Sequence, residues 1–312
     1  MPAMRPAALT VLLLLSLSGP SLAAGPMPAP QVVKVNERVY ALLGPVSLPN
    51  PENQGYMVNS TLILGDRGAI LIDSGFSREV GDHLARTIKK ITPLPVTHVV
   101  NTHHHGDHVF GNVSFKGAEI LSSENCKKSV IETGAAWLQI AESAIGRKLP
   151  GTVPMPATRT YAAASKTAVT INGVAMEFWV PEAAHTTGDM LVWLPQDRVL
   201  VAGDVIVNTT TPVFRDGVVA KWVQTLQEAQ QYPAQTIVPG HGPLMTPAEL
   251  AVLHKRMADF YAGVERVYKA GLSESDVRAK VDLREWASLK SFDEQMGGNI
   301  NRTWLEVEAA NF

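Results

Sequence analysis

The chain carries a single cysteine, Cys126, among its 312 residues. One thiol closes no internal disulfide, and no nucleophile motif surrounds it, so Cys126 is expected to pack as a small apolar side chain. Runs of Lys or Arg are missing as well. With 27 basic against 29 acidic residues the net charge is −2, which lacks the basic footprint of a nucleic-acid binder. Only one long apolar run exists, Ala7 to Leu17, and it stands at the N-terminus. Arg5 precedes it and the small-x-small triplet Ser21-Leu22-Ala23 follows. This pattern predicts a cleaved signal peptide over residues 1–23 and a product released to the periplasm or the medium. No second run is long enough to span a membrane.

What is present is a steady alternation of short strands and amphipathic helices. A Pro-rich, flexible segment over 24–30 leads into two short strands within Val32–Leu43. Pro45 to Gln54 reads as an exposed loop. Strands at Thr61–Leu64 and Ala69–Asp73 flank the hairpin signal Gly65-Asp66-Arg67-Gly68. Ser77 caps a helix whose Val80, Leu84, Ile88 and Ile91 share one face, and Pro93 and Pro95 stop it. Further strands are expected at Val96–Thr102, Ala118–Leu121, Met190–Leu194, Val199–Ala202 and Thr236–Pro239. A hairpin over Val169–Val180 turns at Asn172-Gly173. Helices are expected over Glu124–Ile145, around Trp222, Leu226 and Ala229, and from the capping box Thr246-Pro247-Ala248-Glu249 to about Ala270. Ser273 opens another short helix, and the remainder reads as helical or irregular. Hairpins mixed with crossovers indicate an α/β protein with mixed sheets, residues 31–312 forming one domain with helices at its C-terminal end.

Four of the nine histidines fall in Asn101-Thr102-His103-His104-His105-Gly106-Asp107-His108, directly after an apolar strand. Imidazole and carboxylate are the ligands zinc takes in hydrolytic sites. In an extended segment His103 and His105 project the same way, and Asp107 continues that spacing. His108 then faces elsewhere, so the tract alone allows one metal or two. His185, Asp204 and His241 each stand at or just past the end of a separate predicted strand, where loops commonly carry function.

The order His103-x-His105-x-Asp107-His108, then His185, Asp204 and His241, resembles the metallo-β-lactamase superfamily. Asp73 in Leu71-Ile72-Asp73-Ser74-Gly75 is similar to that family's first motif. The resemblance covers at least Tyr56 to Gly242. It implies a four-layer αββα sandwich and two Zn2+ per chain. His103, His105 and His185 would hold one zinc, Asp107, His108 and His241 the other, and Asp204 would bridge them. Asp73 would accept a hydrogen bond from a ligand's second ring nitrogen or from nearby backbone. His83, His98, His104 and His254 are expected not to ligate.

The family chemistry implied is attack by metal-bound hydroxide on an acyl carbon, with Asp107 as the catalytic carboxylate that orients it. Asp204 replaces the cysteine ligand of one β-lactamase branch, and Val207 stands where that branch has lysine. The bridging aspartate, Pro239-Gly240-His241-Gly242 and Asn299 to Glu306 are closer to glyoxalase II-like hydrolases and to exported quinoprotein-relay and sulfur-oxidation-associated zinc metallohydrolases. The expectation is an exported hydrolase of a small thioester, lactone or related ester. β-Lactam hydrolysis is an alternative, as is a persulfide dioxygenase holding one Fe2+ through His105, His185 and Asp204. The 45–54 loop is a candidate flap, and Trp137, Met155 and Phe214 are candidate pocket residues that core packing would serve equally well. Tyr56 and Asn208 are possible oxyanion donors.

Overall fold

The computed structural model describes residues 25–312. The signal peptide expected over 1–23 lies outside them. One sheet has seven strands in sequential order: β1 (Gln31–Lys34), β2 (Val39–Leu43), β3 (Ser60–Leu64), β4 (Ala69–Ile72), β5 (Val96–Val100), β6 (Glu119–Ser123) and β7 (Arg159–Tyr161). Neighbours are antiparallel from β1 to β4 and parallel from β4 to β7. The second sheet has five: β8 (Ser165–Ile171), β9 (Val174–Val180), β10 (Leu191–Leu194), β11 (Val199–Gly203) and β12 (Thr236–Pro239). Here β8 to β11 form an antiparallel meander and β12 joins β11 in parallel.

Side chains alternate across each strand, and this divides the core into layers. Val39, Ala41, Ile70 and Ile72 of the first sheet meet Met176, Phe178, Val192 and Val201 of the second in an inter-sheet core. The opposite residues of the first sheet, Leu42, Leu62, Leu71 and Val99, pack under α1 (Arg78–Ile91) and α3 (Glu124–Ile145). A single helical turn, α2 (Gly106–Val109), lies between these helices in sequence. On the far side, Trp179, Leu191, Trp193 and Leu200 pack under α4 (Val219–Ala229) and α5 (Pro247–Lys269). Two short helices, α6 (Val277–Lys280) and α7 (Arg284–Ala287), lead to α8 (Phe292–Ala310), whose Met296, Ile300 and Val307 join the same cluster. Helix, sheet, sheet, helix is the order, as the αββα expectation has it. Every residue of β4 is buried because both its faces are covered, which explains the unbroken Ala-Ile-Leu-Ile run.

Local signals account for most element ends. Ser77 Oγ accepts from Val80 N–H at the start of α1, and α1 stops at Ile91, just before Pro93. Thr246 and Glu249 form the reciprocal capping box of α5. Asn172 and Gly173 adopt φ of 48° and 80°, the left-handed pair a two-residue hairpin needs. Differences arise where tertiary contacts decide. β5 ends at Val100, short of Thr102, because Asn101 and Thr102 turn toward Asn112 and Asp73. β8 begins at Ser165, four residues before the predicted hairpin, since its outer residues alternate with solvent and lack an apolar signal. The short edge strand β7 is absent from the sequence expectation for the same reason.

Candidate metal centre

β4 through β7 run one way, and in the second sheet β9, β11 and β12 share a direction. The tract after β5, His185 after β9, Asp204 after β11 and His241 after β12 therefore converge at the strands' C-terminal ends. Hydrogen bonds join the sheets there. Asn59 Nδ2 donates to the carbonyls of Pro239 (2.9 Å) and Gly242 (2.7 Å), and Met190 N–H donates to Thr102 O at 2.7 Å.

All seven predicted ligands meet. One ligand atom from each of His103, His105, His185 and Asp204 lies within 4.8 Å of the others, and the same holds for Asp107, His108 and His241. The Asp204 carboxylate stands between these sets. Its Oδ1 is 3.3 Å from His108 Nε2, and its Oδ2 is 3.3 Å from His241 Nε2 and 3.7 Å from His185 Nε2. Asp107 Oδ2 lies 3.3 Å from His108 Nε2 and 3.2 Å from His241 Nε2. His105 Nδ1 and His185 Nε2 approach to 3.0 Å. Only glycine fits at position 240, where a Cβ would fall 1.9 Å from Asp204 Oδ1.

The extended spacing predicted through Asp107 stops at His105. From Gly106 the chain turns into α2, so Asp107 and His108 are consecutive residues of a helical turn. Ser74 supports this turn: its N–H donates to His108 O at 2.8 Å, and its Oγ–H donates to Asn112 Oδ1 at 2.7 Å. The turn aims both side chains at His241's side of the cluster.

The outward ring atoms are held as well. Asp73 sits at φ 58°, a strained conformation that aspartate tolerates and that functional sites retain. Its Oδ2 accepts from His108 Nδ1–H and from Thr102 Oγ–H, both at 2.8 Å, and its Oδ1 accepts from Thr102 N–H at 2.8 Å. His241 Nδ1 contacts Met57 O at 3.1 Å. His105 Nε2 contacts Asp216 Oδ2 at 2.9 Å. Thr102, Met57, Asn59 and Asp216 were not evident from sequence. Asp216 follows Phe214-Arg215 in a loop without a motif, and nothing local marks it.

Burial and charge treat the two sets differently. Burial, then the neighbouring histidines, holds His103 well below the usual imidazole range and brings His185 down to about 3. For His108 burial opposes the charge, but Asp107, Asp204 and Asp73 outweigh it and raise the pKa well above normal. Asp204 and Asp107 likewise overcome burial at His241 and raise it to about 10. Asp107 and Asp204 themselves, despite burial, are held below the carboxylate range by His108 and His241.

A metal fits this arrangement. His103 Nε2, His108 Nε2 and Asp204 Oδ1 are buried without a hydrogen-bond partner among the described residues. Buried polar atoms of this kind need a partner, and an all-imidazole and carboxylate donor set suits zinc. Of the other histidines, His104 Nδ1 lies near His105 and Asp216. His98 contacts Glu119 on the neighbouring strand, and His83 contacts Arg86 on α1.

A cavity of about 240 Å³ opens over this floor. Val46 to Pro49 of the proline-rich loop and Trp137 of α3 line it, together with Val207 and Arg215. Phe214 and Met155 do not. Phe214 is fully buried against Trp222, Phe260 and Trp286, and Met155 packs under α3. Tyr56 is buried with its hydroxyl toward Leu42 O, and Asn208 donates to Pro243 O. Cys126 is buried at the start of α3, and burial raises its thiol to about 12, as suits a packing role.

Two converging sets of residues that could hold metal ions thus stand at the ends of a layered pair of sheets. A family model described as the metallo-beta-lactamase superfamily matches residues 53–241, and the chain belongs to that superfamily. It is 25% identical over 264 residues to a linear primary-alkylsulfatase of Pseudomonas sp., a match covering 71% of this chain and 49% of that protein. The chain thus spans about half the length of that relative. It is 24% identical over 218 residues to a metallo-beta-lactamase type 2 of Bacillus cereus, covering 66% of this chain and 73% of the relative. A solved metallo-beta-lactamase from Pontibacter korlensis superposes with a TM-score of 0.59 at 24% identity, covering 74% of this chain and 99% of the other. This superfamily consists of metal-dependent hydrolases.

Proposed function

We propose that this protein is an exported dinuclear zinc hydrolase that cleaves an acyl bond in a small thioester, lactone or related ester. The observation that carries this reading is the Asp204 carboxylate, which faces both histidine sets at once beneath an open cavity. His103, His105 and His185 would hold one ion and Asp107, His108 and His241 the other, with Asp204 shared. Zinc bound there supplies Lewis acidity and brings the pKa of water from 15.7 to about 7. Asp73 keeps His108 Nδ1 protonated and its Nε2 facing inward. Asp216 does the same for His105, leaving Nδ1 toward the floor. Asp107 borders the cavity and carries the carboxylate that orients the attacking water and holds its proton. At about 240 Å³ the cavity is somewhat smaller than the sites that enclose drug-sized ligands, which suits a small or partly exposed substrate. No described helix is long and apolar enough to cross a membrane.

β-Lactam cleavage is a second reading, favoured by the Bacillus cereus relative's name. Against it, Val207 gives the cavity an apolar wall where lysine stands in the cysteine-bearing branch. The deciding experiment is elemental mass spectrometry on protein purified without added metal, followed by turnover assays on thioesters, lactones, esters and β-lactams. About two zincs per chain with acyl turnover is expected. One iron per chain, with oxygen uptake on a persulfide, would overturn the proposal.

A further inference from the structure

The inner face of α3 is explained by packing: Cys126, Val130 and Ile145 are buried beneath it. Its second apolar stripe is explained only in part, since Ala141 and Trp137 also pack on that core while Ile140 and Ala144 stay exposed. Trp137, Ile140, Ala141 and Ala144 follow the i, i+3, i+4, i+7 spacing of one helix face, and all four line the cavity above the metal-type floor. Val46, Leu48 and Pro49 also line it, as do Val207, Pro212 and Val213. Two of these large apolar side chains remain open to water, Leu48 at 41% and Ile140 at 55%. Five polar residues gather at the floor, His105, Asp107, His185, Asp204 and His241, and Ser47, Thr210, Thr211, Arg215 and Gln295 also line the cavity. Trp137 is fixed in this wall. Its ring lies 5.0 Å from that of His105, and the Arg215 guanidinium rests 4.5 Å above it.

A cavity with its ligand-type groups at the floor and mostly apolar residues around them suits a substrate of the same polarity. We propose that the substrate carries a straight apolar chain, that the chain lies along the α3 stripe at Trp137, Ile140 and Ala144, and that chain length sets specificity. This rests on the acyl-hydrolase reading for its chemistry, but the subsite itself is a binding property. Burying each methylene tightens binding by up to about fourfold until the wall is covered.

The test is calorimetric titration of the purified full chain with straight-chain carboxylates from propanoate to dodecanoate. The shared carboxylate contributes equally to every member, so the slope with length reports the wall. Affinity is expected to rise two- to fourfold per methylene and then level off. Ile140→Asp and Ala144→Trp should flatten the slope and weaken octanoate binding at least tenfold. Ile131→Asp, on the same helix at a 63% exposed position that does not line the cavity, should change neither. Equal affinity for propanoate and octanoate, an unchanged slope in both wall variants, or a slope equally lost in Ile131→Asp would overturn the proposal. Turnover is measured separately on the matching p-nitrophenyl esters. Chain-length-dependent binding without ester turnover sinks the hydrolase reading alone, and turnover without chain-length dependence sinks the subsite alone.

Discussion

His103 and His185, on one side of Asp204, lose affinity for protons, whereas His108 and His241, on the other, gain it. Desolvation lowers the pKa of all four, so it is not the difference. The difference lies in carboxylates. His103 and His185 face other imidazoles with only Asp204 opposing, while His108 and His241 are bracketed by Asp107 and Asp204, with Asp73 behind His108. His103 and His185 are neutral and ready as metal ligands at neutral pH. The carboxylate-rich set is an ion-paired network that must exchange protons for a cation, so its loading is the more pH-dependent of the two.

Asp204 belongs to both sets, and removing its charge breaks the comparison at its centre. Asp204→Asn is expected to lower turnover by about 10³-fold or more, several kcal/mol of transition-state stabilisation. It should also lower metal content at both positions, measured per chain by elemental mass spectrometry. Retention of two metals and full activity would refute the shared role. Asp73→Ala should act mainly on the carboxylate-rich set, with a loss of about 10- to 100-fold in metal affinity or activity. A chelator competition that releases one metal early and leaves the other in place would separate the sets. Asp216→Asn is the matching change on the neutral side. Its partner carboxylate is 34% exposed, so a loss near tenfold is expected, read as kcat on the fully loaded enzyme.

The smallest effect concerns pH. In chelator-treated protein, His241 has its pKa raised from 6.5 to about 10, so its stabilising contribution is complete below about 6.5 and is lost as pH rises through 10. The melting temperature should decline across that window, and His241→Gln should flatten the decline. His185 works in the opposite sense. Its pKa is lowered to about 3, so the fold loses stability as pH falls from 6.5 toward 3, and His185→Gln should leave the alkaline limb untouched.

The seven residues also differ in how far they could be read from sequence, and that division cuts across both sets. His103, His105, Asp107 and His108 are contiguous, and their density alone signals metal chemistry. His185, Asp204 and His241 are scattered, and each is an ordinary loop residue until the strands before them are seen to share a direction. The helical turn at Gly106 escaped the extended-spacing argument because Ser74 supports it from the loop after β4. Phe214 and Trp137 show the same limit. Both are apolar aromatics near the motifs, yet one fills the core under α5 and the other walls the cavity.

Composition and periodicity determined the layered α/β architecture and most of its strands, because these depend on neighbours a few residues away, and motif order along the chain marked the seven candidate ligands. Tertiary structure alone decided the partners that orient them. His105 meets Asp216 across 111 residues, and Asn59 reaches Gly242 across 183. Such contacts leave no periodic trace in the chain. They arise only when buried apolar layers bring distant loops together, and only there do the cavity and its apolar wall come into being.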